Sequence, residues 1–253
     1  MDKKINLLLV GYGKMGKIIH EHADYINGEV VAIYDPVIKE HNIPIEELDL
    51  KNIDVAIEFT DPKFGYYNVQ KLLHRKVPVV TGTTGWFTRV MELQKQFVPR
   101  DHTLIYSANF SLGMNIFYDV VDEATKLLNQ SNLYDVYGLE AHHRGKADSP
   151  SGTAKILSNL ILKNIEKRKK AIFNLNNTEV LNHDEFLFST IRAGNIAGYH
   201  EIGFDSDFDD IKLIHNAKSR KGFAYGALLA AKYAYRVKGF YNFNDIFREI
   251  IRG

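Results

Sequence analysis

The segment from Glu140 to Ala154, EAHHRGKADSPSGTA, concentrates side chains that can move protons and bind anions. His142 can exchange a proton near neutral pH, and Lys146 offers a strong point charge to a carboxylate. Residues 151–153, Ser-Gly-Thr, open a helix-compatible stretch whose first backbone N–H groups would form an anion site. The segment therefore predicts a site for an acidic substrate that takes up a proton.

Each of these residues also has an ordinary structural interpretation. His142 and His143 are neighbours, and neighbours on a strand face opposite sides, so at most one of them need point at a ligand. The Ser-Gly-Thr run could simply cap a helix. Adjacent histidines rarely share one metal ion, and no further ligand spacing is evident, so we predict no metal site. It is the combination of residues, beside a nucleotide-binding motif, that favours catalysis.

That motif is the GxGxxG formed by Gly11, Gly13 and Gly16, which directly follows the apolar run from Ile5 to Val10 and opens a helical stretch. The first glycine permits the tight turn, the second lets the backbone approach a pyrophosphate, and the third allows close packing of helix on strand. The N-terminus of the helix then offers free N–H groups to the phosphates. The strand–turn–helix context predicts a dinucleotide site, although a plain glycine turn is the alternative.

Asp35 bears on the choice of dinucleotide, because it ends the second predicted strand. An acidic residue at this place accepts hydrogen bonds from the adenosine ribose and would repel a 2′-phosphate. We therefore expect NADH to be preferred, with NADPH as the alternative because Lys14 and Lys17 lie nearby in the sequence.

Small residues follow two further predicted strands, as GTTG over 82–85 and SANFSLG over 107–113. Ligands of open α/β sheets bind beyond the carboxyl ends of the strands, so these turns could receive the nicotinamide ring. Ordinary turn chemistry is the alternative for both.

The order of elements predicts an α/β protein: a Rossmann-type parallel sheet domain plus a smaller α+β domain with a mixed sheet. Up to Phe110, short β-branched runs alternate with helix-length segments, which is typical of a doubly wound parallel sheet. Beyond it we expect helices over 113–130 and 152–169, a polar loop over 173–185, and three alternating strands, FLFSTIRAG, AGYHEIGF and DIKLIHNA.

Composition excludes several other classes of protein. The chain has 253 residues with 32 Lys+Arg against 31 Asp+Glu, so it lacks the basic excess of a general nucleic-acid or membrane-surface binder. No apolar stretch is long enough to span a bilayer. The absence of cysteine excludes disulfides and thiolate metal sites, and it is compatible with the cytoplasmic location that we expect.

The sequence resembles the dihydrodipicolinate (4-hydroxy-tetrahydrodipicolinate) reductases over essentially its whole length. The motifs that carry the resemblance occur in the family's order: GYGKMGK, Asp35, GTTG, SANFSLGMN, EAHHRGKADSPSGTA, IRAGNIAGYH and SRKGFAYGALLAA. The His–His–Lys–SGTA segment is highly specific, whereas the glycine motif is not. The resemblance implies NAD(P)H-dependent reduction of a cyclic unsaturated dicarboxylate to tetrahydrodipicolinate in lysine and diaminopimelate biosynthesis.

The resemblance also implies roles for individual residues. It makes His142 the catalytic proton donor and Lys146 a second catalytic donor that also steadies the substrate. His143, Gly152 and Thr153 match substrate-binding positions. The positions that match cofactor-binding residues are Gly11, Tyr12, Gly13, Lys14, Met15, Gly16, Asp35, Gly82, Thr83, Thr84, Ser107, Ala108, Asn109 and Phe110.

The family's organisation implies a dinucleotide-binding domain made of residues 1–111 and 219–253, and a substrate-binding and oligomerisation domain over 112–218. In the family the sheet of the second domain builds a homotetramer. The small-molecule dicarboxylate is the expected partner, with no nucleic acid and no membrane.

The chain departs from the family pattern at several positions. Its glycine motif is one residue shorter than the GxGGRMG of many members, and Pro36 follows Asp35 where an arginine is frequent, which weakens the case for NADPH. Tyr199 replaces a glutamate and Ser149 an alanine. None of these changes touches the His–His–Lys core.

Two other functions fit parts of the sequence. A related amino-acid dehydrogenase would share the first domain but act on another substrate, and the intact His–Lys–SGTA segment argues against it. A dinucleotide sensor or scaffold without activity would be expected to show an eroded site, and nothing here looks eroded.

Overall fold

The protein, analysed as a computed structural model that describes residues 3–175 and 180–252, divides into two compact units. Unit 1 consists of Met1–Leu112 and Arg220–Gly253, and unit 2 of Gly113–Ser219. The chain therefore leaves unit 1 once, builds unit 2 without interruption, and then returns.

Unit 1 is built on a parallel sheet in which the described residues form six strands, in the order β11-β5-β4-β3-β1-β2. The strands are β1 (Ile5–Val10), β2 (Gly28–Tyr34), β3 (Val55–Glu58), β4 (Val79–Thr81), β5 (Thr103–Tyr106) and β11 (Gly239–Asn242). The helices of this unit are α1 (Lys14–Glu21), α2 (Pro62–His74), α3 (Val90–Gln96), α6 (Lys221–Ala234) and α7 (Phe243–Arg252).

The central strand β1 shows why its sequence is continuously apolar. Leu7 and Leu9 belong to a buried cluster that contains the small residues of α6, whereas Leu8 and Val10 belong to a second cluster that contains residues of α2. Alternate side chains thus enter cores on opposite faces of the sheet, as expected for a parallel strand covered on both sides.

Unit 2 contains a mixed sheet whose described strands follow the order β10-β9-β6-β8-β7. The strands are β6 (Asp135–His142), β7 (Lys170–Ile172), β8 (Glu185–Arg192), β9 (Tyr199–Asp205) and β10 (Asp210–Asn216), and the helices are α4 (Leu112–Ser131) and α5 (Gly152–Asn164). The central β6 pairs with β9 antiparallel and with β8 parallel. Buried residues of both helices pack against phenylalanines of β8 and β9 to form the core.

The predicted fold class is confirmed, with a parallel sheet flanked by helices and a second, mixed sheet. The three alternating segments are strands β8, β9 and β10, and the helix predicted over 113–130 is α4. The centre of the predicted polar loop, 176–179, lies outside the described residues.

The helix predicted over 152–169 was too long, because α5 ends at Asn164. The reason is Arg168, which is buried rather than exposed on a last helical turn. Its guanidinium pairs with Asp135 of β6 and donates to the carbonyls of His183 and Glu185, so it ties the chain to the sheet. The basic run after α5 therefore contains one residue, Arg168, that makes long-range contacts with the sheet. In the part of the chain that the structure describes, no helix is long and apolar enough to cross a membrane.

Candidate functional site

A buried group of ionisable side chains lies at the end of β6, in unit 2. Glu140 and His142 are two residues apart on this strand and therefore face the same side. Oε2 of Glu140 lies 3.5 Å from Nδ1 of His142 and 3.6 Å from Nε2 of His200, which comes from the neighbouring strand β9. The two imidazole rings meet edge to face, with centroids 5.1 Å apart. One carboxylate thus serves two histidines.

Polar contacts hold this carboxylate in its charged form. Burial acts to raise the pKa of Glu140, but the nearby His200 ring and the hydrogen bonds from the Ser151 N–H and the Arg192 guanidinium outweigh burial and lower the pKa to about 2. Burial also lowers the pKa of His142 to about 4, with help from the nearby charge of His200 and against the attraction of Glu140. Near neutral pH, the unliganded site therefore holds an ionised Glu140 beside a neutral His142.

Three atoms that could bind a metal ion, one each from Glu140, His142 and His200, lie within 4.8 Å of one another. The guanidinium of Arg192 is already in place on the same carboxylate, with Nη2 donating to Oε1 at 3.0 Å. It supplies positive charge to Oε1, whereas Oε2 of Glu140, Nδ1 of His142 and Nε2 of His200 lie at ion-pair distance without a hydrogen bond.

The Ser-Gly-Thr run opens α5 as the sequence predicted, and Glu140 contacts its first residue. The backbone N–H of Ser151 donates to Oε1 of Glu140 at 3.0 Å, and the Ser151 hydroxyl caps the helix by accepting from Ala154 N–H at 3.1 Å. The N–H groups of Gly152 and Thr153 lie in the first turn, where no carbonyl of the same helix can reach them. A Cβ built on Gly152 would meet no heavy atom within 4 Å, so the helix end is open to an anion.

Lys146 lies in the loop between β6 and α5 and is linked to the same carboxylate through its neighbours. Its Nζ pairs with Asp148 Oδ1 at 2.7 Å, and the Asp148 carbonyl accepts from Arg192 at 2.7 Å. The side chain of Lys146 is about one-quarter exposed, and its charge contributes to the low pKa of His142. The backbone N–H of Lys146 donates to the carbonyl of His143. The residue His143 is half-buried. Unit 2 thus brings together the predicted residues of the 140–154 segment.

The glycine turn of unit 1 has the geometry that the motif requires. Gly11 has a φ of +97°, and a Cβ there would lie 2.2 Å from the carbonyl oxygen of Phe59, so only glycine fits. A Cβ on Gly16 would lie 2.2 Å from the carbonyl oxygen of Gly11, which explains the close packing of α1 on the turn. A Cβ on Gly13 would meet nothing within 4 Å. The backbone at Gly13, at the start of α1, is therefore open to a phosphate.

A groove of about 370 Å³ connects this turn with the residues that follow β3 and with the GTTG turn that follows β4. It is lined by Gly13, Lys14, Met15, Phe59, Thr60, Pro62, Gly82, Thr83 and Thr84. The structure thus brings two separately predicted motifs together in one cavity, and it adds Phe59, Thr60 and Pro62, which were not singled out from the sequence.

Asp35 lies where the sequence predicted, at the end of β2, but its carboxylate is already engaged. Oδ2 accepts from Tyr12 N–H at 2.7 Å, and Oδ1 accepts from the N–H groups of Val37 and Ile38 at 2.8 and 3.1 Å. Burial acts to raise the pKa of Asp35, but these backbone hydrogen bonds lower it. Asp35 therefore orders the glycine turn and keeps a negative charge beside it.

The segment from Ser107 to Phe110 forms a self-bonded turn after β5 and does not line the 370 Å³ groove. The Ser107 hydroxyl accepts from Asn109 N–H at 3.0 Å, while Ala108 is exposed. The Phe110 ring is buried between Phe59 and Phe243. Any cofactor contact from this segment would come from its backbone or from its exposed residues rather than from that ring.

Four functional candidates escaped the sequence analysis as individual residues. Glu140 lies in the segment 140–154, but no role was predicted for it. Its spacing of two residues from His142 indicates that both side chains face the same side of a strand. Arg192 and His200 come from other strands, and only the pairing of β6 with β8 and β9 brings them in. Glu58 was not singled out from the sequence, but it is fully buried at the end of β3 and bonds to Thr60 and Thr83 of the groove.

Comparison with known families places both units. The model described as "Dihydrodipicolinate reductase, N-terminus" matches residues 5–110, and the model described as "Dihydrodipicolinate reductase, C-terminus" matches residues 113–247. Together they span nearly the whole chain.

Curated relatives named 4-hydroxy-tetrahydrodipicolinate reductase are similar over their full length. The protein from Christiangramia forsetii is 34% identical over 98% of this chain and 100% of its own. The protein from Rickettsia bellii is 36% identical over 98% of this chain and 96% of its own.

Among solved structures, a dipicolinate-bound dihydrodipicolinate reductase from Paenisporosarcina sp. TG-14 superposes with a TM-score of 0.74. It is 22% identical and covers 96% of this chain and 100% of its own. An amine dehydrogenase from Mycobacterium smegmatis reaches 0.58 at 9% identity, with 96% of each chain covered. At these identities the likeness establishes the fold alone.

Proposed function

The chain belongs to the dihydrodipicolinate reductase family, whose NAD(P)H-dependent reaction in lysine and diaminopimelate biosynthesis is its activity, and we propose how its residues perform it. Unit 2 binds the cyclic dicarboxylate 4-hydroxy-tetrahydrodipicolinate and supplies a proton from His142. Unit 1 binds the nicotinamide cofactor. The observation that carries the proposal is the buried Glu140 carboxylate, which contacts both His142 and the helix start that would bind the substrate.

The substrate carboxylates would bind at positions where the chain offers positive charge and unpaired donors. The N–H groups of Gly152 and Thr153 open the helix α5, and Lys146 is the nearby cation. His143 is half-buried beside Lys146 and offers a further hydrogen-bond donor. A dicarboxylate would compete with Asp148 for the ammonium group of Lys146.

Substrate binding would also prepare His142 to donate. A neutral imidazole with a pKa of about 4 is a poor acid near pH 7. A bound dicarboxylate brings negative charge, which opposes burial and the nearby cations and so raises the pKa of His142. Glu140 lies beside Nδ1 and favours the tautomer that carries a proton there. Nε2 then exchanges the catalytic proton, and the absence of a side chain at Gly198 keeps space clear beside that atom.

The cofactor would lie along the strand ends of unit 1. The open backbone at Gly13, the start of α1, and the groove lined by Lys14, Thr83 and Thr84 fit a dinucleotide. When bound, it would supply the hydride: the 4-hydroxyl group of the substrate leaves as water, and one hydride and one proton reduce the resulting unsaturated ring to tetrahydrodipicolinate. The residues of the chain bind both reactants and hold the proton.

We further propose a preference for NADH. The ionised carboxylate of Asp35 lies beside the glycine turn, and Pro36 follows it instead of an arginine. A 2′-phosphate would meet a negative charge with no dedicated cation, although Lys14 and Lys17 are exposed on α1 and reduce the penalty.

The assembly and location complete the proposal: a homotetramer built through the sheet of unit 2, in the cytoplasm. Exposed apolar residues on the outer face of this sheet support an interface, among them Ile191 of β8 and Ile214 of β10. Light scattering coupled to gel filtration would return the tetramer mass, and a monomer at micromolar concentration would contradict this part. Fractionation of the source cells would test the location.

The reaction itself is tested by oxidation of NADH and NADPH, with the substrate made in situ from pyruvate and aspartate semialdehyde by the preceding synthase. We expect oxidation that requires this synthase. His142→Ala should lower kcat by roughly a hundredfold or more while leaving the Kd for NADH unchanged. Folded protein that binds NADH but oxidises neither cofactor would contradict the assignment.

A further inference from the structure

Glu58 is the last residue of β3 and is fully buried at the carboxyl edge of the parallel sheet of unit 1. Burial raises the pKa of this carboxyl group, and hydrogen bonds from three threonine hydroxyls oppose that rise. The protein itself thus supplies the hydrogen bonds of this buried carboxyl group, and no step of the proposed reaction uses it.

The donors come from three strand ends or turns around the groove. Thr81 Oγ1 donates to Oε2 at 2.5 Å, and Thr83 Oγ1 donates to Oε1 at 2.9 Å. Thr60 donates to Oε1 through its hydroxyl and also through its backbone N–H, the latter at 3.0 Å. Glu58 therefore ties the turn after β3 to the GTTG turn after β4.

These bonds fix the direction in which the hydroxyl protons of the groove residues point. A threonine hydroxyl has one proton, and those of Thr60 and Thr83 both go to Glu58. Each hydroxyl oxygen also accepts one hydrogen bond from the protein. Oγ1 of Thr60 accepts from Asn68 Nδ2 at 3.3 Å, and Oγ1 of Thr83 accepts from the backbone N–H of Thr60 at 2.8 Å. What remains on each oxygen is a single acceptor position.

The topology indicates which part of a dinucleotide would meet these acceptors. Asp35 at the end of β2 marks the adenosine side, and the start of α1 after β1 marks the pyrophosphate. Since β3 and β4 lie on the other side of β1 in the sheet, the turns at Thr60 and Thr83 belong to the nicotinamide half. An acceptor there favours an amide N–H or a ribose hydroxyl and disfavours a phosphate oxygen.

We propose that Glu58 is a positioning residue of the cofactor site: it orients the hydroxyls of Thr60 and Thr83 as acceptors for donor groups on the nicotinamide half of the dinucleotide. The inference rests on the proposed function only in taking the groove as part of the cofactor site.

The test compares NADH with ADP-ribose, which shares the adenosine and pyrophosphate but lacks the nicotinamide. Glu58→Gln keeps the shape of the side chain but places an N–H₂ group among hydroxyl protons, so at least one hydroxyl must turn away. We expect the Kd for NADH to rise about tenfold and the Kd for ADP-ribose to stay unchanged, measured by calorimetry. Equal weakening of both ligands, or of neither, would overturn the proposal, because a merely structural role would not separate them.

Two further variants make the test specific. Thr83→Val removes an acceptor that lines the groove and should reproduce the selective loss of NADH affinity. Thr81→Val removes a hydroxyl that binds the same carboxylate but does not line the groove, so it is the matched control and should leave the NADH to ADP-ribose ratio unchanged.

A double-mutant cycle asks whether Glu58 acts through Thr83. The losses of NADH affinity should be less than additive in the double variant, because the effect of Glu58 through Thr83 is already lost and only its effect through Thr60 remains; fully additive losses would overturn the proposal. If Glu58→Gln fails to fold, the ratio measured for Thr83→Val decides alone, and an unchanged ratio overturns it. Wild-type protein that binds no NADH would reject the cofactor site and this inference together. Normal NADH binding with an unchanged ratio in the variants would reject only the inference.

Discussion

Nδ1 of His142 lies 3.5 Å from Oε2 of Glu140, inside a core from which water is almost entirely excluded. This distance is slightly longer than that of a hydrogen bond, but it is short enough for a strong electrostatic interaction. It leaves the imidazole neutral in the unliganded protein but ready to gain a proton when further negative charge arrives.

Replacing Glu140 by Gln should lower kcat by roughly tenfold to a hundredfold, because the neutral amide no longer stabilises a protonated His142. The amide also leaves Arg192 without its carboxylate partner. The Kd for NADH should be unchanged. Steady-state kinetics and calorimetry check this, with Glu123→Gln on the exposed face of α4 as the control. A wild-type kcat in Glu140→Gln would remove the carboxylate from catalysis.

The pKa of His142 should rise when a dicarboxylate binds. In the free protein the imidazole should titrate near pH 4, and saturation with pyridine-2,6-dicarboxylate should move the titration toward or above neutrality. NMR of the histidine ring protons over a pH series measures both values, with His142→Gln to assign the signal. If the ligand left the titration unmoved, another group would have to donate the proton.

Acid should destabilise the protein in two overlapping steps. His142 titrates near 6.5 when unfolded and near 4 when folded, so the unfolded chain binds more protons between these values and stability falls as the pH falls from 6.5 to 4. Glu140, with a folded pKa of about 2 against 4.5 unfolded, adds a loss from pH 4.5 down to 2.

The loss attributable to His142 should be on the order of 3 kcal/mol. Urea unfolding of wild type and His142→Gln at pH 7 and pH 4.5 checks this, since the variant should lose less stability between the two values. Parallel losses in the two proteins would show that other groups dominate.

Lys146→Met should raise the KM for the dicarboxylate by about tenfold or more and lower kcat, because it removes the cation that pairs with Asp148 in the free protein. The Kd for NADH should stay the same. Lys155→Met, an exposed position on α5, provides the matched control. A KM unchanged in Lys146→Met but raised in the control would reassign the substrate's cation.

Asp35→Asn should shift the choice of cofactor toward NADPH. The amide oxygen can still accept from the N–H groups of Val37 and Ile38, whereas the amide N–H₂ then faces Tyr12 N–H and that bond is lost; the charge that repels a 2′-phosphate is gone. We expect the ratio of kcat/KM for NADH over NADPH to fall roughly severalfold. Wild-type protein that already prefers NADPH would contradict the proposed preference itself.

The sequence predicted the periodic parts of this protein well, because burial on one or two faces leaves a pattern along the chain. β1 reads as a continuous apolar run since its alternate side chains enter two cores. The β11 strand escaped prediction because it has only four residues, and its place is fixed by pairing with β5 far away in sequence. The end of α5 was misjudged because the role of Arg168 depends on Asp135.

For the candidate site, the sequence predicted the segment but not its electrostatics. The spacing of His142, Lys146 and the helix start is local and can be read from the chain. The partners Arg192 and His200 arrive by strand pairing, and they determine the charge state of Glu140 and so of the histidine. Burial of Glu58 likewise follows only from the end of β4 and the turns after β3 and β4 converging in space.

The return of the chain to unit 1 has a consequence for biosynthesis. The Thr103 hydroxyl donates to the carbonyl of Val237, 134 residues later, and β11 completes the sheet beside β5. A ribosome must therefore synthesise all of unit 2 before the edge of β5 can be covered. During that interval β5 presents an unpaired strand edge, which is a site for association with other nascent chains. Unit 2, made from one uninterrupted stretch, can complete its own sheet first.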